Sequence, residues 1–154
     1  MTPWLATFTR RWHANPDLAH TFDPVGAHSG RMGVLALHFW GAGASRELLV
    51  ACLIHDLGES VTGDMPWAAK RACPEMAGML DVLESRALSD MGFDHDIALD
   101  DYRRLKFLDR LDAYLWVKHH APHVLSRDGW PEALAWLQRE ADDLGVSFDH
   151  GDSG

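Results

Sequence analysis

Basic residues are scarce in this chain: 14 Lys and Arg stand against 23 Asp and Glu, a formal net charge of -9 over 154 residues. That balance argues against non-specific binding to DNA, RNA or an anionic membrane, each of which needs a cationic surface. An anionic small molecule remains compatible only where a metal and a few local Lys or Arg residues reverse the field inside a pocket. Cysteine is nearly absent. Cys52 and Cys73 have no close spacing and give no disulfide framework, so they read as reduced thiols of a cytoplasmic protein. The first eleven residues lack a basic stretch followed by an apolar one, so no secretory signal is expected. Long apolar runs are also missing: the longest, around residues 48–57, is too short to span a bilayer. Strand signals are weak throughout, and no repeat, low-complexity segment or linker interrupts the chain. HExxH, P-loop, GxSxG and CxxC motifs are absent, which removes zinc-protease, P-loop, serine-hydrolase and thiol-redox readings.

What is present is helical periodicity between Gly and Pro punctuation, in a chain that is 47% hydrophobic. The pattern predicts one all-α domain over residues 1–148, a compact bundle of about six to seven helices, with 149–154 as a frayed tail. A first helix is expected over residues 3–14, closed by Pro16, and a loop over 15–26. A second helix should run from His28 to the Gly41-Ala42-Gly43 break, burying His28, Met32, Leu35 and Phe39 on one face. Ser45 is an N-cap for a third helix, with Leu48, Leu49, Cys52 and Leu53 pointing inward. Leu48, Cys52, His55 and Glu59 would share a stripe if that helix continued. Short helical structure is expected near 67–71. A helix over 74–91 would carry Met76, Met79, Leu80, Leu83 and Leu88 as core candidates. Residues 94–101 are acidic and ambiguous. A long helix over 102–120 has Leu105, Leu108, Leu111 and Leu115 as its seam, and a last helix over 130–144 starts at Pro131 and stops at Gly145.

The chemistry concentrates at His55-Asp56, with His28 upstream and Asp109 downstream. Adjacent His and Asp side chains reach one point only at the end of a helix, where the backbone can turn. Here an apolar helix runs into charged residues and then a Gly, and polar groups at such a place are costly unless paired or bound to a metal. Two imidazoles and two carboxylates suit Mn, Co, Zn, Fe or Ni better than Ca, and residue types do not choose among these. Asp112, one turn beyond Asp109, is a competing carboxylate. His119, His120 and His123 read as a surface cluster, because Pro122 breaks their helical spacing. His13, His20, His38, His95 and His150 have no partner signature.

Over residues 11–114 the order of motifs resembles the HD-domain metal-dependent phosphohydrolases, nearest the small branch of bacterial 5′-deoxynucleotidases and viral deoxynucleoside triphosphate hydrolases. The matching text is Arg11-Trp12, His28-Ser29, His55-Asp56 with Glu59, Thr62-Gly63-Asp64-Met65-Pro66, Lys70, then Lys106, Asp109, Leu111, Ala113 and Tyr114. An HD pair alone is a weak motif; the ordered set is strong. The family often has an acid before the first His, where this chain has Ala27. The resemblance implies an all-α fold with His28, His55, Asp56 and Asp109 as metal ligands, selecting Asp109 over Asp112. It implies that Glu59 orients or deprotonates the attacking water, against the alternative of a helix-terminal acid. Asp64 would approach the sugar 3′ edge or assist proton transfer, or else serve as an N-cap. Arg11, Lys70 and Lys106 would surround the phosphate. Trp12 would pack against sugar and base and favour 2′-deoxyribose, or else be a core aromatic.

The activity so implied is attack of water at the α-phosphorus of a 2′-deoxynucleoside 5′-phosphate, releasing the deoxynucleoside. A monophosphate substrate is slightly favoured over a dNTP releasing triphosphate. A second ion such as Mg could arrive with the substrate, and a homo-oligomer is expected. Alarmone hydrolases of this superfamily carry a second acid after the Glu, where this chain has Ser60, and cyclic-dinucleotide enzymes carry a further Gly-Tyr-Pro motif that is not evident here. A non-catalytic metal- and nucleotide-binding module is the remaining alternative.

Overall fold

Helix accounts for the regular structure of the computed structural model, which describes residues 1–94 and 96–149. Beyond Asp149, the expected tail lies outside the described residues, as do His95 and His150. The helices are α1 (Pro3–Ala6), α2 (Val25–Trp40), α3 (Arg46–Ile54), α4 (Glu59–Thr62), α5 (Trp67–Ala72), α6 (Pro74–Asp90), α7 (Leu99–His120) and α8 (Trp130–Leu144). Short 3-10 turns at Gly41–Gly43 and Pro122–Val124 link some of them. No described helix is long and apolar enough to cross a membrane.

α2, α3, α7 and α8 enclose the main core. Met32 and Ala36 of α2 meet Leu48, Ala51 and Cys52 of α3, Leu105, Leu108 and Leu111 of α7, and Leu137 of α8. The α7 seam is therefore as expected, although Leu115 is only half-buried. Ser45 caps α3 by accepting from the Leu48 N–H at 2.9 Å, and its own hydroxyl donates to Asp101 at 2.6 Å. Gly145 ends α8 in a left-handed conformation, φ +67°, which glycine adopts without a Cβ penalty.

Several expected elements differ. The first helix stops after Ala6 rather than reaching residue 14. The Thr7 hydroxyl donates to the Trp4 carbonyl at 2.7 Å, offering the backbone a local alternative to helix. Beyond it the chain runs extended beside residues 23–26: the Arg11 N–H donates to the Asp23 carbonyl at 2.9 Å and the Val25 N–H to the Thr9 carbonyl at 2.8 Å. α2 accordingly begins three residues early. α3 ends at Ile54, so the stripe from Leu48 to Glu59 is broken, and Leu53 faces solvent. On α6, Met79 and Leu83 are exposed, Met76, Leu80 and Leu88 are half-buried, and Ala87 is the buried residue. That helix packs on α4 and α5 at the margin of the core rather than within it.

Candidate metal centre

The end of α3 decides the geometry. After Ile54 the hydrogen bonding shortens to i→i+3: Leu57 N–H to Ile54 carbonyl at 3.0 Å, Glu59 to Asp56 at 3.0 Å, Ser60 to Leu57 at 3.2 Å. This tighter winding turns consecutive side chains away from ideal α spacing. His55 and Asp56 consequently face the same point, toward His28 on α2 and Asp109 on α7. One donor atom from each of these four residues lies within 4.8 Å of the others. His28 Nε2 is 3.3 Å from Asp56 Oδ2 and 3.4 Å from Asp109 Oδ1, and His55 Nε2 is 3.2 Å from Asp56 Oδ1.

The donor set fits a divalent cation on an observation of its own. His28 Nε2 and His55 Nε2 are buried and have no hydrogen-bond partner among the described residues. Buried polar atoms are rarely left this way. Each ring is oriented from its other nitrogen. His55 Nδ1 meets the Cys52 carbonyl at 3.3 Å, and His28 Nδ1 meets Asp112 Oδ2 at 2.7 Å. Both rings thus present Nε2 to the cluster, as metal-ligating histidines do. Two imidazole nitrogens and two carboxylate oxygens converge there, a set able to hold a divalent cation.

Electrostatics divides these groups. Burial opposes a charge on His28, but the carboxylates of Asp109, Asp112 and Asp56 outweigh it and push the imidazole up to about 10. Burial would likewise raise Asp56, yet His55, His28 and Arg11 hold it well below the usual carboxylate range. Asp109 is lowered too, with burial and Asp56 resisting and His28 prevailing. Glu59 goes the other way. Burial and the neighbouring charges of Asp56 and Asp64 push it up to about 9, against Lys70. Its Oε2 is buried without a hydrogen-bond partner among the described residues.

The remaining expected residues are placed as follows. Asp64 accepts from the Trp12 N–H at 2.5 Å, which ties the loop before α5 to the loop after α1. It is not the cap of α5, whose N-terminus has no side-chain cap. Trp12 sits at φ +65° and is half-buried; its indole N–H donates to Asp23 at 3.2 Å and its ring lies 6.4 Å from that of Trp130. Arg11 is buried, its Nη1 shared between Asp23 at 3.0 Å and Asp112 at 3.3 Å. Lys70 is half-buried on α5, within electrostatic reach of Glu59. Lys106 places its Nζ 5.7 Å from the centre of the Tyr102 ring. His119, His120 and His123 are exposed, and no second cluster of ligand atoms occurs among the described residues.

Sequence reasoning missed the charged ring behind the cluster. Asp23 and Asp112 are bridged by Arg11 and by Arg31, whose Nη2 lies 2.9 Å from Asp23 Oδ1 and whose Nε lies 2.7 Å from Asp112 Oδ1. Its traces were the i, i+3 spacings of His28 with Arg31 and of Asp109 with Asp112, which place each pair on one helix face. No family model, curated protein or solved structure matches this chain.

Proposed function

We propose that this protein is a metal-dependent phosphohydrolase of 2′-deoxynucleoside 5′-phosphates, of the HD-domain type that its motif order resembles. The observation that carries the reading is the convergence of His28, His55, Asp56 and Asp109, with both Nε2 atoms buried and without a hydrogen-bond partner among the described residues, beside Glu59, whose buried Oε2 also lacks one. A bound divalent cation supplies Lewis acidity there, drawing charge from the phosphate and making water more acidic.

The chain's own groups do the rest. His28, His55, Asp56 and Asp109 hold the cation. Glu59 takes the proton of the attacking water at Oε2; burial and the carboxylates of Asp56 and Asp64 make it a strong base once ionised, and Lys70 favours that ionised state against them. Lys70 and Arg11 attract the phosphate, and Arg11 is fixed for this by Asp23 and Asp112. Asp64 anchors the backbone of Trp12 and thereby sets where the indole meets the sugar. Water attacks the α-phosphorus, the bond to the 5′ oxygen breaks, and the deoxynucleoside leaves with a proton on that oxygen.

The test is product analysis of the purified chain with Mn or Co and a panel of dNMPs, dNTPs and matching ribonucleotides. Deoxynucleoside plus phosphate from dNMPs is the expected result. Deoxynucleoside plus intact triphosphate would keep the bond cleaved and change the substrate. No product from metal-loaded protein would overturn the enzyme reading and leave a nucleotide-binding module.

A further inference from the structure

Asp112 lies on the far side of the His28 ring from the cluster. Its Oδ1 accepts from Arg31 Nε at 2.7 Å. Its Oδ2 accepts from Arg31 Nη2 at 2.9 Å and Arg11 Nη1 at 3.3 Å, and meets His28 Nδ1 at 2.7 Å. A guanidinium can only donate, so both Asp112 oxygens act as acceptors, and the Nδ1 that faces them carries its hydrogen. A neutral ring with hydrogen on Nδ1 has its lone pair on Nε2, the atom left without a hydrogen-bond partner at the cluster. Asp23 closes the arrangement, accepting from both arginines and from the Trp12 indole. Asp112 is 3% exposed, so water does not readily substitute for it.

We infer that Asp112 is a positioning residue for the metal centre: it fixes the tautomer and ring angle of His28 so that Nε2 faces the cation, while Arg31, Arg11 and Asp23 fix Asp112. This rests on the metal reading of the four-residue cluster, not on any particular substrate. An outer carboxylate of this kind commonly accounts for about 10–100-fold in metal affinity.

The test titrates chelator-stripped full-length protein with Co(II), followed by the visible absorption of the bound ion. Asp112→Asn preserves shape and removes the charge; it is expected to weaken Co(II) binding by about 10–100-fold while the far-ultraviolet circular dichroism stays native. A second measurement needs no variant. In long-range proton–nitrogen spectra of the zinc-loaded native chain, His28 should show hydrogen on Nδ1 and metal on Nε2. Native Co(II) affinity in a folded Asp112→Asn, or metal on Nδ1, overturns the role of Asp112 and leaves the metal reading standing. Should the variant not fold, the native spectrum decides. Failure of the native chain to take up Co(II) overturns both.

Discussion

Asp56 and Glu59 stand three positions apart at one turn, and their surroundings treat them oppositely. Cationic partners keep Asp56 ionised, whereas burial beside Asp56 and Asp64 raises Glu59 to about 9. Carboxyls pushed apart in this way commonly divide the tasks of holding charge and moving a proton. Asp56→Ala should therefore abolish both bound metal and turnover. Glu59→Gln should keep the metal, measured by elemental analysis, and lose at least about 10²-fold in kcat; retained activity would remove Glu59 from the mechanism. His28 supports a pH prediction. Its ordinary value of 6.5 is raised to about 10 in the protein without metal. That raised value stabilises the stripped fold below pH 6.5, and the contribution disappears as pH rises toward 10. Ligation needs the Nε2 lone pair, so the cation competes with a proton. Apparent affinity should rise about tenfold per pH unit below that value. Calorimetric titration in buffers of different ionisation enthalpy should show about one proton released per ion.

At the level of elements, the sequence marks helices well where buried faces and punctuation agree. Ser45 before α3, Pro131 inside α8 and Gly145 after it each carry a local signal that the structure uses. His55 and Asp56 were legible for a related reason, since adjacent His and Asp at a helix end have few uses, whereas the choice of Asp109 over Asp112 came from the family resemblance. The loop after residue 15 was legible up to the start of α2, whereas residues 7–14 were not, because residues 9–11 pair with 23–25 and the chain then turns locally instead of continuing the helix its periodicity suggested. Asp112 stood out only as a rival of Asp109, and its pairing with Asp23, Arg11 and Arg31 was not legible because ion pairs across elements leave little pattern in any one of them. Apolar spacing on α6 was misread as core, since spacing does not say whether a partner covers the face. One close approach is specific to Gly58: a Cβ there would lie 2.6 Å from the Glu84 carbonyl oxygen. Backbone atoms cannot swing aside, so Gly58→Ala should cost about 1–3 kcal/mol, read by denaturant unfolding. Because Gly58 precedes Glu59, turnover should fall more than metal binding does; native stability would contradict the close approach.

Across the whole molecule the ligand candidates come from α2, from the turn after α3 and from α7, so a bound cation ties together segments remote in sequence. Native chain holding metal at one hundred times its dissociation constant should gain about 2.7 kcal/mol over chelated chain. A melting temperature indifferent to chelator would argue against a site made by those three segments. Arg11 and Arg31 are paired with Asp23 and Asp112, so the site shares the acidic balance of the chain and leaves Lys70 as the cation beside Glu59. α6 has a different bearing. Its one buried residue is Ala87, and beside the Gly58 contact it is joined to α4 by the Thr62 hydroxyl donating to Glu84 at 2.7 Å. α6 also packs on α5 and lays half-buried Leu88 against the cluster of Ala6, Val25, Ile54 and Leu57, but with one buried residue it should open before the main core does. Amide hydrogen exchange is therefore expected to be faster over residues 76–90 than over 105–117 of α7, with the α4 amides following α6. Glu59 would then belong to a less persistent part of the native ensemble than His28 on α2 and Asp109 on α7, and on warming any activity that needs Glu59 should fade before those two candidates lose their places.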